Sequence, residues 1–95
     1  MRILRTPQAE SDLAQIWQYI ARDDTAAADR LIRQISASFE MLANNPDLGI
    51  KLNEVRPGLM CKPVRKWYVV FFEVRGDSLC VLRVLHGARH YEDLV

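Results

Sequence analysis

Apolar residues in the first half of the chain recur at three- and four-residue spacings, which is the pattern of amphipathic helices. The first helix is expected to begin at Thr6-Pro7, because a threonine hydroxyl accepts a bond from a free helix amide and proline fits the first helical position. A short strand-like segment, Arg2 to Arg5, precedes it. The chain is therefore predicted to start with a brief strand and a helix whose apolar stripe must be buried. That stripe consists of Leu13, Ile16, Trp17 and Ile20.

A second and longer apolar stripe runs from Ala28 to Leu42, after the capping oxygens of Asp23-Asp24-Thr25. It stops at Asn44-Asn45-Pro46, since proline cannot continue the helical hydrogen bonds and disfavours helix geometry in the residue before it. Residues 48–56 show no periodicity and are expected to form a loop. Pro57-Gly58 fits the centre of a type II turn. The first half is therefore predicted to form a helical hairpin.

The second half has the composition of β-strands. Pro63 lacks a ladder donor and should lie at an edge or a bulge, and Arg75-Gly76-Asp77-Ser78 has the length of a hairpin connection. The whole chain, residues 1–95, is predicted to be a single α+β domain of order β-α-α-β-β-β, with a small twisted antiparallel sheet and the N-terminal helical hairpin packed on one face. The three predicted strands are Leu59 to Val64, Trp67 to Val74 and Leu79 to His86.

The middle strand is apolar on both faces, since residues 67–72 read Trp-Tyr-Val-Val-Phe-Phe. A half-exposed antiparallel strand normally alternates apolar and polar residues. The helical hairpin can cover one face. Another chain is expected to cover the second face; the alternative is that the C-terminal tail and residues 48–56 fold over it.

The last predicted strand is mostly apolar but contains Arg83 and ends at a histidine, which glycine and arginine follow. Arg83 lies among apolar neighbours and is expected to pair with a carboxylate across the sheet, such as Glu73. Gly87 is expected to let the chain turn, so that Arg89 is presented at the end of the sheet, where it would contact a partner or pair with an acidic residue of the tail. Strict alternation would place four residues of this strand on one face, namely Leu79, Val81, Arg83 and Leu85.

Composition narrows the class of protein. The 95 residues are 49% hydrophobic and 26% charged, which is ordinary for a globular domain. No apolar run is long enough to span a membrane and no signal-peptide pattern is present, so the chain is expected to be cytoplasmic. Cys61 and Cys80 lie in apolar segments, where a thiol usually behaves as a small hydrophobe, and two cysteines with two histidines give no spaced ligand cluster. Neither a metal nor another cofactor is expected.

Charge is unevenly distributed along the chain. The net charge is +1, but residues 1–47 carry −2 and residues 48–95 carry +3. This excess is below that of a typical nucleic-acid binder, so direct sequence-specific DNA binding is not expected, while a locally basic groove stays open.

A series of short motifs, in order and covering essentially the whole chain, resembles one known family. The motifs are Ala9-Glu10-Ser11-Asp12-Leu13, then Ile16 with Tyr19-Ile20-Ala21, Leu42 to Pro46 with Gly49, Arg56-Pro57-Gly58-Leu59, Tyr68-Val69-Val70-Phe71-Phe72, and Val84-Leu85-His86-Gly87-Ala88-Arg89. Together they are similar to the ParE branch of the RelE/ParE toxins. The resemblance implies a small twisted antiparallel sheet with a helical hairpin packed on it, in agreement with the pattern above.

The resemblance also implies a function. ParE-type members are toxins of type II toxin–antitoxin systems that poison DNA gyrase without a reaction of their own and are neutralised by a ParD-like antitoxin. RelE-type members instead cleave mRNA on the ribosome, which needs cations at the phosphate and a proton donor and acceptor. Here Tyr68 stands where those nucleases have an arginine, Lys62 alone represents a lysine-rich strand, and Val95 replaces a tyrosine. The nuclease is therefore the alternative, and an inactive member kept as a complex partner is a third.

Candidate site residues follow from these readings. The nuclease alternative would use Glu54 as base and the His90-Tyr91 pair, with His90 as proton donor. The favoured interpretation is that Glu54 is a loop charge and that His90 and Tyr91 are polar residues of an exposed C-terminal turn. If Trp17 does not bind a partner, it is expected to be a core residue. If the basic cluster of Lys62, Arg65 and Lys66 contacts no target, it is expected to be a solvated rim. The residues proposed for target contact are Arg89, His86, Lys62, Arg65 and Lys66. The residues proposed for antitoxin binding are Leu13, Trp17, Trp67, Val69, Phe71 and Arg83.

Overall fold

Two helices pack on one five-stranded sheet in the computed structural model, which describes residues 1–87 and 91–95. The sheet has the order β1-β5-β4-β3-β2, with β1 parallel to β5 and every other neighbouring pair antiparallel. The predicted α+β class and element order are confirmed. The elements are β1 (Arg2–Arg5), α1 (Pro7–Ala21), α2 (Thr25–Asn44), a 3-10 turn (Pro46–Leu48), β2 (Ile50–Lys51), β3 (Met60–Val64), β4 (Tyr68–Arg75) and β5 (Ser78–His86).

The helix starts are those predicted from the capping residues. Thr6 Oγ1 accepts a hydrogen bond from the amide of Ala9 at 3.0 Å, and Asp24 Oδ1 accepts one from the amide of Ala27 at 3.1 Å. Each bond satisfies an amide that has no partner within its helix. Pro46 follows the end of α2, so the helical hairpin is bounded by local chemistry at both ends.

Two features of the sheet differ from the prediction. β1 is parallel to β5, with Arg2 opposite Ser78 and Arg5 opposite Val81, so the sheet is mixed rather than wholly antiparallel. Within the predicted loop 48–56, the two-residue strand β2 pairs with the start of β3. Pro63 lies beyond the part of β3 that β2 pairs, where a missing backbone donor costs least.

The predicted turns are also present. Gly58 has a φ of 84°, and the amide of Leu59 bonds the carbonyl of Arg56 at 3.1 Å, which closes the expected turn at Pro57-Gly58. Gly76 has a φ of 59° at the first central position of the β4–β5 hairpin, as a two-residue hairpin loop with glycine there requires. Gly87 lies in a turn directly after β5, as predicted, but its φ is not in the left-handed region.

The main core lies between the helices and one face of the sheet. Phe39 and Phe72 are its largest buried side chains, and neither is more than 1% exposed. Gly49 packs directly against the Phe72 ring: a Cβ built there would lie 2.9 Å from Cε1 of that ring. Among the described residues, no helix is long and apolar enough to cross a bilayer.

The other face of the sheet is covered by the chain's own loop and tail. Phe71 and Leu85 are each 2% exposed there, and Arg56 Nη1 donates to the carbonyl of Val95 at 2.8 Å. The expectation that another chain covers this face is therefore wrong, and the intramolecular alternative is observed. We call this group the outer cluster; it contains Leu52, Leu59, Phe71 and Leu85, with Val55, Cys61, Val69, Leu82, Tyr91, Leu94 and Val95 packed against them.

A β-bulge changes the faces of β5. Phe71 is opposite Arg83 and Phe72 is opposite Val81, which leaves Leu82 as the extra residue. Val81 and Val84 therefore both face the helices, while Leu82 and Leu85 join the outer cluster. The strict alternation predicted for the last strand is wrong beyond Val81 for this reason.

Candidate functional site

Helix α1 covers the edge of β5 beyond the end of β1. β1 pairs with residues 78–81, and residues 82–86 lie past its last partner. Thr6 Oγ1 donates to the carbonyl of Leu82 at 2.7 Å, and Asp12 Oδ2 accepts from the amide of Val84 at 3.0 Å. Side chains of α1 thus replace a missing strand, which protects the edge from non-specific pairing.

The same carboxylate of Asp12 binds Arg83. Arg83 Nε donates to Oδ2 at 2.8 Å and Nη2 donates to Oδ1 at 2.9 Å, a two-point pair whose side chains are only 18% and 9% exposed. The hydrogen bonds to Asp12 raise the pKa of Arg83, while burial opposes them. Arg83 Nη1 also donates to the carbonyl of Leu94 at 3.2 Å. Arg83 therefore joins the sheet, α1 and the C-terminal tail.

The predicted pairing of Arg83 with Glu73 is wrong. The bulge places Arg83 opposite Phe71, whereas Glu73 lies opposite Cys80. Glu73 instead accepts from Arg75 and, at 3.4 Å, from Arg56 Nη2.

An open groove of about 660 Å³ lies between α1 and the ends of β4 and β5. Its apolar side chains include Ile16, Ile20 and Val84, and two exposed aromatic residues, Tyr19 (68%) and Trp67 (55%), stand at its rim. We call it the α1–β5 groove. The full lining is Asp12, Gln15, Ile16, Tyr19, Ile20, Trp67, Tyr68, Val84, Leu85 and His86.

Aromatic rings cluster at the sheet end of this groove. The rings of Trp67 and His86 are nearly parallel, with centroids 6.1 Å apart and an interplanar angle of 16°, and Tyr68 meets His86 edge-on at 5.9 Å. Burial, and secondarily the proximity of Tyr19, raise the pKa of Tyr68, so its phenol is neutral at physiological pH. The groove therefore offers apolar area and the neutral hydroxyl group of Tyr68, the chemistry of a peptide-binding surface.

Comparison with known proteins decides the family. The family model described as "ParE toxin of type II toxin-antitoxin system, parDE" matches residues 3–91. The chain belongs to the ParE toxin family. Toxin ParE1 of Mycobacterium tuberculosis is 31% identical over 87 residues, which are 90% of this chain and 88% of that protein. Toxin ParE3 of Caulobacter vibrioides is 28% identical over 87 residues, which are 90% of this chain and 86% of that protein.

A solved structure shares the ParE fold. A chain from the structure titled "Chromosomal ParDE TA system from P. aeruginosa" superposes with a TM-score of 0.76 at 22% sequence identity. The match covers 90% of this chain and 95% of that one. The arrangement of helical hairpin and sheet is therefore common to both chains.

The residues predicted for antitoxin binding by this ParE-family chain do not form one surface. Trp67 is on the rim of the α1–β5 groove. Trp17 is 38% exposed and its Nε1 donates to Asp29 Oδ1 at 2.8 Å, a bond between the two helices. Leu13 is 5% exposed in the main core, and Phe71 is buried in the outer cluster with Val69 beside it. Arg83 is engaged by Asp12 as described above.

Four of the five residues predicted for target contact lie around the β3–β4 turn. Arg65 Nη1 donates to Gln34 Oε1 at 2.7 Å, and Lys66 Nζ lies 5.1 Å from the centre of the Trp67 ring. Lys62 is on β3 and His86 ends β5, next to the same turn. Arg89 lies outside the described residues.

The residues of the nuclease alternative are partly described. Tyr91 packs on Phe71 with ring centroids 4.9 Å apart, and its pKa is raised by burial and then by nearby acidic groups, of which Glu54 is one. Glu54 is exposed in the loop before β3, and His90 lies outside the described residues. Tyr68, in the place of the nuclease arginine, packs on the helix side of the sheet, away from Tyr91. In the part of the chain that the structure describes, no three His, Cys, Asp or Glu residues form a metal-binding group.

Several groove residues were not predicted as site residues. Asp12, Ile16, Tyr19 and Ile20 line one side of the groove and follow helical spacing on one face of α1. Ile16 and Ile20 were assigned to the core stripe, and Tyr19 lies one position outside it. A tyrosine on the margin of an apolar stripe is the signal that could have identified this face. Tyrosine has an apolar ring and a polar hydroxyl, so it suits a surface that is hydrated in the free protein and buried in a complex.

Proposed function

We propose that this ParE-family chain is the toxin of a ParDE-type pair, that it inhibits growth by poisoning DNA gyrase, and that a ParD-like antitoxin neutralises it. Family membership over residues 3–91 supports the toxin assignment. The inhibitor acts by binding, not by catalysis.

The environment of the arginines supports a binding protein over a nuclease. Phosphodiester cleavage needs cations available to the phosphate. Arg83 is bonded to Asp12 and to the tail, and Arg56 is bonded to Val95 and Glu73. These two arginines, which contact the C-terminal tail that carries Tyr91, are therefore already engaged by the chain's own groups.

The α1–β5 groove carries the proposal for the antitoxin. It is apolar, open and flanked by the exposed rings of Tyr19 and Trp67. An antitoxin segment that folds on binding would bury these rings, and large aromatic residues dominate the energy of such interfaces. The antitoxin is thus proposed to bind across α1 and the end of β5.

Two neighbouring residues of α1 test the docking site. Tyr19→Asp replaces a large exposed aromatic ring of the groove by a charge and should weaken binding of the antitoxin at least about tenfold, an ordinary effect for the loss of an aromatic anchor residue. Gln18→Asp makes the matching change at an exposed position outside the groove lining, and binding should stay within about twofold of the unchanged protein. Titration calorimetry with the ParD-like protein measures both. Equal affinities for the two variants would exclude the groove.

The mode of action is tested in cells. Induction of the toxin without antitoxin should stop growth, produce filamentous cells and switch on the DNA damage response before protein synthesis falls. Immediate arrest of translation with cleaved messages would instead support the nuclease, and Glu54→Gln with Tyr91→Phe would then be the variants to examine. Unimpaired growth would identify an inactive member.

A further inference from the structure

The turn between β3 and β4 displays an exposed tryptophan on a basic rim. Val64 pairs with Tyr68, so residues 65–67 form the turn, and Trp67 at its end is 55% exposed. His86 lies nearly parallel to the indole at 6.1 Å, and the ammonium of Lys66 lies 5.1 Å from its centre. The large indole ring of Trp67 is thus held at the surface beside an imidazole ring and an ammonium group.

Local charge at this end of the sheet is of one sign. Residues 60–72 and 78–87 contain no aspartate or glutamate, while the first segment contains Lys62, Arg65 and Lys66. Asp12, from the facing helix, is neutralised by Arg83, and the group that α2 offers to Arg65 is the neutral amide of Gln34. The Trp67 turn, residues 65–67, therefore lies beside the positive charges of Lys62, Arg65 and Lys66. The described contacts pair none of these three charges with an acidic group.

The backbone of the turn is unusual at Arg65. Its φ is 60°, the left-handed region that residues other than glycine rarely occupy. Such a conformation is energetically unfavourable and is concentrated at functional sites. Here it is accompanied by the bond to Gln34, and it precedes the two residues that project from the turn.

We propose that the Trp67 turn binds single-stranded nucleic acid without sequence preference. A base stacks on the indole of Trp67, and Lys62, Arg65 and Lys66 contact the flanking phosphates. Stacking of a base on an aromatic side chain is more favourable than an exposed cation–π contact. Lys66 can therefore leave the ring for a phosphate as the base arrives. An acidic peptide would match the charge but has no flat group for the exposed ring.

This binding does not depend on the proposed gyrase contact, and it is distinct from the antitoxin assignment. Trp67 is also on the rim of the α1–β5 groove, so a bound antitoxin would cover the ring. The free toxin is therefore the form that binds nucleic acid.

The test uses the fluorescence of Trp67. The sequence has two tryptophans, so Trp17→Phe leaves Trp67 as the reporter. A 12-mer of thymidine at low salt should quench its emission saturably. An abasic 12-mer, which keeps the phosphates and lacks the bases, should bind about 5- to 150-fold more weakly, the range that corresponds to one stacked base. Equal binding of the abasic strand would overturn the proposal.

Two variants separate stacking from charge. With a labelled 12-mer and anisotropy as the readout, Trp67→Ala should weaken binding by the same factor as removal of the bases, and Trp17→Phe should not change it. Lys62→Gln with Lys66→Gln should lower the salt slope of binding by about 1.4, the value for two phosphate contacts on a single strand. No saturable binding of the 12-mer, or a 12-mer of glutamate that binds as tightly with the same dependence on Trp67, would overturn the proposal.

Discussion

Arg83 and Asp12 form a two-point ion pair that joins the last strand to the first helix, although 71 residues separate them in sequence. The same carboxylate accepts the amide of Val84 at 3.0 Å, and the same guanidinium donates to the carbonyl of Leu94 at 3.2 Å. One pair thus closes the open edge of β5, orients α1 along the groove and contacts the C-terminal tail.

Removal of the carboxylate should be costly. Asp12→Ala leaves the guanidinium of Arg83 and the amide of Val84 without their acceptor, and should lower the free energy of unfolding by about 2–4 kcal/mol, below the full value for a buried pair because Arg83 is partly exposed. Urea unfolding followed by circular dichroism measures the change. Glu10→Ala is the matched control on the same helix. Glu10 is exposed and 3.9 Å from Arg5, so its loss should cost less than about 0.5 kcal/mol. Similar losses for both variants would contradict the role given to Asp12.

Arg56 is expected to hold the tail over the outer cluster. Arg56→Gln removes the bond to the carbonyl of Val95 and the contact with Glu73, and should lower the free energy of unfolding by about 1 kcal/mol while increasing amide exchange in residues 91–95. Arg75→Gln, which removes only the exposed partner of Glu73, should leave exchange in the tail unchanged. Hydrogen-exchange mass spectrometry compares the two, and equal exchange in the tail would show that Arg56 does not hold it.

Gly49 is expected to be intolerant of a side chain. In Gly49→Ala the new methyl group would meet the buried ring of Phe72 and approach the carbonyl of Cys61 at 3.3 Å, which should cost about 1–3 kcal/mol through overpacking. Gly87→Ala is the control, because its nearest neighbours lie at 3.6 Å, and it should change stability by less than about 0.5 kcal/mol. Phe72→Leu should cost less in the Gly49→Ala background than in the unchanged protein. Additive effects of the two substitutions would argue against the clash.

Stability should fall at alkaline pH. Burial raises the pKa of Cys61 above its ordinary 9.0 and the pKa of Tyr68 above its ordinary 10.0, so the unfolded chain loses these protons more readily than the folded chain. The contribution to stability is complete below pH 9 and is lost as pH rises through the raised folded-state values. Thermal unfolding between pH 8 and pH 11 follows the decline. In Cys61→Ala the loss of stability should begin at about pH 10 instead of about pH 9. An unchanged onset would exclude the Cys61 thiol as the source of the decline.

Local signals predicted the elements of this fold well, and long-range pairing was predicted poorly. The capping residues Thr6 and Asp24 determine where the helices begin, by bonds to amides only three residues further along the chain. The helix starts can therefore be predicted from the local sequence. β2 has only two residues, too few to show a period. The bulge beside Phe71 depends on the packing of two sheet faces, and it moved Arg83 away from the carboxylate that simple alternation assigned to it.

The candidate site was predicted in part for the same reason. Trp67 and the basic turn are contiguous in sequence, and they are indeed adjacent to one another in the structure. The groove is assembled from α1, the start of β4 and the end of β5, which lie far apart in the sequence, so Tyr19 could not be connected with His86 by sequence spacing. Phe71 was expected to be open to a partner because the apolar stretch 67–72 gives no sign of the tail that covers it.

The supercoiling reaction of DNA gyrase on relaxed plasmid is the most direct test of the central claim. With the purified toxin added, the proposed function predicts a dose-dependent loss of supercoiling with accumulation of cleaved plasmid, and full recovery when the ParD-like antitoxin is supplied in equal amount. Unchanged supercoiling at micromolar toxin, from a preparation that stops growth when it is produced in cells, would contradict it.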